Sequence, residues 1–144
     1  MKRMNAFKYC PQCGGLLKIN QQFEFSFKCK NNHPYFISPK ASCCAVIEKD
    51  GGVLVVKRGY DPHKGLWGFP GGFVSPGESA ELAAVREVKE ELGIEISIVD
   101  VLFTTVDIYP YMGIDYEVIP IYLRARITDG EQRSGYEADE LSFV

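Results

Sequence analysis

Gly72-Phe-Val-Ser-Pro-Gly-Glu78-Ser-Ala-Glu-Leu-Ala-Ala-Val-Arg86-Glu87-Val88-Lys-Glu90-Glu91-Leu92-Gly93-Ile94 reads as a glycine-rich loop that runs into a helix ending on glycine. With 3.6 residues per turn, Glu87, Glu90 and Glu91 stand at i, i+3 and i+4, so their carboxylates share one face. Like charges that close repel by a few tenths of a kcal/mol per pair. The grouping therefore asks for a cation, and oxygen-only ligands suit Mg²⁺ or Mn²⁺. Ala80, Ala83, Ala84, Val88 and Leu92 form an apolar stripe on the other side, ready to dock on a sheet. Pro76-Gly77 is a turn, Ser79 an N-cap and Gly93 a left-handed C-terminal residue, which predicts a helix over about 79–92.

These residues are similar, position for position, to the box of the Nudix hydrolases, G-x5-E-x7-R-E-U-x-E-E-x-G-U, where U is a bulky aliphatic. All nine specified positions agree, which chance would produce less than roughly once in 10^8 start points at average composition. The resemblance covers residues 39–144 and implies an α/β fold, a mixed sheet sandwiched by helices. Such domains continue into another helix after a segment like Glu137 to Val144, where this chain stops. The resemblance also implies roles. Glu87, Glu90 and Glu91 would ligate Mg²⁺ with the Gly72 carbonyl, Arg86 would orient a carboxylate, and Glu78 would hold the loop against the helix. The general base is Glu87 or, from outside the box, Glu137.

Upstream, Cys10-Pro-Gln-Cys13-Gly14-Gly15 places two thiolates on a turn that glycine permits. Cys29 and His33 then complete Cys-x2-Cys-x15-Cys-x3-His, the spacing of a Cys₃His zinc ribbon over residues 1–38. Cys43, Cys44 or a water are the alternatives to His33, and both of those cysteines read as buried in a strand. A zinc there would supply folding energy to a segment too short for a core of its own.

From Ile37-Ser-Pro39-Lys40 onward the chain reads as strands: 41–48, a turn at Lys49-Asp50-Gly51-Gly52, then 53–58. After the helix come 94–103, 104–109, a loop over 110–116, and a long strand 117–128. Pro120 marks that last strand as an edge or a bulge.

The 144 residues are 46% hydrophobic and 24% charged, an ordinary globular composition with room for one core and a small appendage. No apolar run approaches about 18 residues and no secretory h-region opens the chain, so no membrane contact and a cytoplasmic location are expected. A net charge of −3 argues against a broad polyanion-binding surface, and nucleic acid is not an expected partner. Even so, Lys2, Arg3, Lys8, Lys18, Lys28 and Lys30 make the first 38 residues locally basic.

Phosphate–phosphate cleavage by metal-activated water follows from the acids and glycines, since no Cys or Ser paired with a base is evident. Trp67 and Tyr109, with Phe69, Tyr111 and Tyr116, are candidates to stack on a base, and Arg124 and Arg126 to meet phosphates. A ribbon ahead of such a domain resembles the NADH pyrophosphatases. Their Ser-Gln-Pro-Trp-Pro-Phe-Pro-x-Ser is replaced here by Thr104-Thr-Val-Asp107-Ile-Tyr109-Pro110-Tyr111-Met112, so ADP-ribose or another nucleoside diphosphate derivative stands beside NADH as the small-molecule substrate. The rival reading is a nucleotide-sensing or nucleic-acid-binding protein that uses a non-catalytic pocket, its ribbon contacting nucleic acid or protein. Homodimers, common in the family, are the expected assembly.

Overall fold

A computed structural model describes residues 7–131 and 138–144. The chain divides into two compact units, Met1–Pro39 and Lys40–Val144. Among the described residues no helix is long and apolar enough to cross a membrane.

The first unit is an antiparallel sheet of β1 (Leu17–Ile19), β2 (Ser26–Cys29) and β3 (Pro34–Phe36), in that order. Phe27 is buried, with the rings of Phe7 and Tyr35 gathered about it. The alternation of Phe23, Phe25 and Phe27 suggests a strand beginning near Phe23, but pairing starts only at Ser26. Phe25 adopts a φ of 53°, outside the strand region, and the buried Ser26 hydroxyl donates to the Phe23 carbonyl at 2.8 Å.

The second unit holds β4 (Lys40–Lys49), β5 (Gly52–Arg58), β6 (Trp67–Gly68), α1 (Ala80–Leu92), β7 (Glu95–Thr104), β8 (Asp107–Tyr111), β9 (Ile114–Asp129) and β10 (Ala138–Phe143). The sheet order is β10-β5-β4-β9-β7, with β6 added on β5 and β8 on β9. β4 and β9 run parallel and the other pairs antiparallel, so the sheet is mixed.

Helix α1 forms where the caps dictate. The Ser79 side chain accepts from Leu82 N, and Gly93, at φ 72°, donates its N–H to the Lys89 carbonyl. Ala83, Ala84, Val88 and Leu92 are fully buried against Cys43, Ala45 and Ile47 of β4 and Leu123 and Ala125 of β9. The alternate positions of those two strands thus face the helix, and burying Val88 and Leu92 contributes about 1.5–3 kcal/mol each.

Helices on both faces are expected, but among the described residues α1 is the one helix, and it covers one face. The C-terminal segment pairs with β5 instead, Leu141 opposite Val56 and Phe143 opposite Leu54. The expected loop over 110–116 is a tight hairpin. Met112 and Gly113 have φ of 48° and 78°, the positive pair a type I′ turn requires, and Tyr111 pairs directly with Ile114. Pro120 sits inside the sheet rather than at its edge. Its carbonyl accepts from Thr105 N at 3.2 Å, so its ring nitrogen faces the gap where β7 ends and β8 begins, and no ladder bond is lost.

Candidate active site and candidate metal centre

Arg86 spends its whole donor set around the loop and helix. Nε and Nη2 form a fork on Glu78 at 3.2 and 2.7 Å, Nη2 also reaches the Phe73 carbonyl at 3.2 Å, and Nη1 bonds Glu87 at 2.8 Å and Glu90 at 3.2 Å. Five N–H groups thus make five bonds, a use of the planar guanidinium that an ammonium could not copy. The guanidinium, with the Ser75 N–H at 2.6 Å, holds the Glu78 carboxyl down at about 2. The same carboxylates push Arg86 further up.

The glycines are required by contact. A Cβ on Gly71, whose φ is 148°, would run into the Cys43 carbonyl, and one on Gly72 would lie 2.5 Å from the Glu87 carboxylate. The loop is threaded between strand β4 and the glutamate. Gly71 N donates to Glu91 Oε2 at 3.2 Å, while the Gly72 carbonyl accepts from Cys43 N at 2.8 Å and from its thiol at 3.5 Å.

Glu87, Glu90 and Glu91 therefore stand on one side of the helix. Their carboxylates are turned to Arg86 and to Gly71 rather than gathered on one point. Arg86 takes Oε1 of Glu87 and Oε2 of Glu90, leaving Glu87 Oε2 and Glu90 Oε1 as hard oxygen donors, the set that suits Mg²⁺ or Mn²⁺.

A cleft of about 470 Å³ opens on Glu87, bounded by Gly72, Arg58, Tyr60, Asp107 and Tyr109. Arg58 lies over the Tyr60 ring at 4.6 Å and reaches the Tyr109 hydroxyl at 3.4 Å. Next to it, a hollow of about 240 Å³ is walled by Phe73, Tyr109, Tyr111 and Tyr116, with Lys40 at its margin. Tyr109 and Tyr116 are direct cross-strand partners, so the two-residue strand period brings all three tyrosines to one face of the β8–β9 hairpin.

The cleft walls include Tyr109 and Phe69 but not Trp67, Arg124 or Arg126, while Tyr111 and Tyr116 wall the adjoining hollow. Trp67 is on the short strand β6 with Lys57 Nζ 5.8 Å above its ring. Arg124 stands beside Asp100, Nε to Oδ1 at 3.3 Å but without hydrogen-bond alignment, and Arg126 lines a separate depression with Glu48 and Asp50. Both belong to the row of β9 that alternates with Leu123 and Ala125, so they face away from the helix. Glu137 lies outside the described residues. Asp107 carries no site signal in the sequence, whereas Arg58, like Lys57, reads either as a phosphate contact or as a solvated cation, and the structure brings Arg58 to the cleft. For Arg58 a signal existed, because it extends the inward row of Leu54 and Val56 past the end of the core. Burial raises the Cys43 thiol and pushes Cys44 up to about 11, so neither is a thiolate nucleophile near neutral pH.

In the first unit, Cys10, Cys13, Cys29 and His33 bring all four ligand atoms within 4.8 Å of one another. Cys10 Sγ is 3.6 Å from His33 Nδ1, and Cys13 Sγ is 3.7 Å from Cys29 Sγ. A tetrahedron with zinc–sulfur bonds of about 2.3 Å and a zinc–nitrogen bond of about 2.0–2.1 Å has edges of roughly 3.6 Å for S–N and roughly 3.8 Å for S–S. The cluster fits zinc by size and donor type. Each pair is presented by a short turn: Gly14 N to the Cys10 carbonyl at 2.8 Å, and Asn32 N to the Cys29 carbonyl at 3.0 Å, with Gly14 and Asn32 at positive φ.

Loop, capped helix and mixed sheet together define a class of domain and not an isolated motif. The NUDIX domain family model matches residues 38–144, and the chain belongs to that family. It is 36% identical over 110 residues to the ADP-ribose pyrophosphatase of Methanocaldococcus jannaschii, covering 75% of this chain and 63% of that protein. It is 35% identical over 96 residues to the NAD-capped RNA hydrolase NudC of Vibrio atlanticus, covering 64% and 34%. The crystal structure of a NUDIX hydrolase from Nitrosomonas europaea superimposes with a TM-score of 0.75 at 26% identity, over 96% of this chain and 77% of that one. The chain thus spans between about a third and two thirds of the length of these two curated relatives.

Proposed function

We propose that this chain hydrolyses the diphosphate bridge of a nucleoside diphosphate joined to a second moiety, with ADP-ribose or NADH as the representative substrates. The observation that carries the reading is the passage of Gly71-Gly72 between strand β4 and the Glu87 carboxylate, beside a cleft of about 470 Å³ that opens on that carboxylate. Mg²⁺ or Mn²⁺, when bound by Glu87, Glu90 and Glu91, neutralises phosphate oxygens and supplies a water of lowered pKa. Arg86 clamps Glu87 and Glu90 by one oxygen each and leaves the other oxygen of each for the ion. The Gly72 carbonyl already serves Cys43, and using it as a further ligand costs the weak thiol bond while the amide bond stays. Glu87, the acid that walls the cleft, is the base assigned here, with Glu137 the alternative. Arg58 is placed to meet phosphate oxygens, and the tyrosine hollow to take a flat ring.

Zinc in the Cys₃His cluster is structural, because four protein ligands leave no open position. The enzyme so read works on small nucleotides in the cytoplasm. The apolar side chains Val99, Val101 and Phe103, half-exposed along the edge strand β7, support a homodimer, for which sedimentation equilibrium is the check. The reaction is tested by incubating the protein and Mg²⁺ with ADP-ribose, NADH, diadenosine polyphosphates and nucleoside triphosphates. AMP release from ADP-ribose or NADH, abolished in Glu90→Gln, is expected. Nucleotide binding without turnover of any member would replace this reading with that of a sensor.

A further inference from the structure

Charge is divided unevenly along the chain. Residues 1–39 hold six of the sixteen Lys and Arg and one of the nineteen acids, a formal +5, which leaves −8 on residues 40–144. The whole-chain balance of −3 conceals this division.

Structure concentrates the positive part further. Lys18 of β1 and Lys28 of β2 are direct cross-strand partners and share a face of the small sheet. With Lys30 and Leu16 they line a depression of about 570 Å³, and among the described residues no carboxylate pairs with any of the three lysines. Like charges directly opposed across two strands destabilise the sheet, so a fold that keeps them gains by meeting an anion. Phe36 lies on this same face, since Ser26 pairs with Phe36 and Lys28 with Pro34. Its ring meets Phe23 edge-on at 6.3 Å, and the two are 55% and 59% exposed. The ring cluster of Phe27, Phe7 and Tyr35 lies on the opposite face; on this one the two rings flank the buried Ser26 and keep more than half of their surface open.

Lysines along a depression flanked by uncovered aromatic rings are the parts that bind single-stranded nucleic acid: cations track the phosphates while rings stack on bases of any sequence. From this face we infer that the N-terminal unit is a binding module for single-stranded nucleic acid, with Lys18, Lys28 and Lys30 on phosphates and Phe23 and Phe36 on bases. A duplex does not offer its base faces, and an acidic peptide has no use for the rings. The module is independent of the Glu87 cleft, and its test does not depend on turnover.

The test is fluorescence anisotropy of the full, zinc-loaded chain with a labelled oligothymidylate of about twelve nucleotides, a length typical of single-strand binding sites. Three phosphate contacts predict that log K falls against log salt with a slope of about −2. The double variant Lys18→Gln, Lys28→Gln is expected to weaken binding at least about tenfold and to flatten the slope to about −0.7. Phe36→Ala is expected to weaken it about tenfold at an unchanged slope. Zinc content and circular dichroism of each variant verify that the unit is folded. Absence of binding at low salt, equal binding by the double variant, equal affinity for a duplex of the same length, or equal competition by polyglutamate would each overturn the assignment.

Discussion

Glu78 and the glycine pair show how single residues carry this site. The Glu78 carboxyl is held at about 2 by Arg86 and Ser75 N–H, well below the ordinary carboxylate range. A depressed folded-state value means stability present above the unfolded value near ~4.3 and lost as pH falls toward about 2. Acid titration followed by circular dichroism should therefore show wild type losing stability through this window. Glu78→Gln should be less stable at neutral pH and show a smaller loss on acidification. Gly71 and Gly72 separate structure from chemistry. Gly71→Ala meets the backbone of Cys43 and should lower the melting temperature. Gly72→Ala meets only the Glu87 side chain, which can yield, and should retain the fold while losing about tenfold or more in kcat/KM.

The elements differ in how openly the sequence announces them. Ser79, the alanine stripe and Gly93 mark the helix because capping and a 3.6-residue period are local properties. Asp50-Gly51 marks the β4–β5 hairpin for the same reason, both residues having positive φ. The sequence does not announce the β8–β9 hairpin, because methionine is a poor occupant of a left-handed position and tertiary pairing overrides that preference. Met112→Asn should accordingly stabilise the protein by about 0.5–1 kcal/mol in denaturant titrations, since asparagine tolerates that conformation better. The tyrosine hollow depends on this turn, which sets which residues of β8 and β9 face each other.

At the scale of the molecule, two units are held by different means. Among the described residues, the unit of residues 40–144 has a core of thirteen buried side chains about the helix, whereas the first unit buries little beyond Phe27, Cys10, Cys29 and Ser26. The smaller unit should therefore depend on its metal. Chelation should release zinc, measured by a chromogenic indicator, and abolish the protease resistance of residues 7–39. The segment after residue 40 should stay protected, and Cys13→Ser should reproduce the effect without chelator.

From sequence alone one obtains the capped helix, its row of acids, the Cys-x2-Cys and Cys-x3-His spacings and the inward rows of β4 and β5, because each follows from neighbours a few residues apart. Tertiary structure alone decides that Gly71-Gly72 passes between Cys43 and Glu87, and that Pro120 meets the break between two strands. The same holds for Arg58 and Asp107 entering the cleft with Tyr109, and for Arg124 and Arg126 staying outside it. Those facts join segments tens of residues apart, and only the order and register of the strands determine which of them meet.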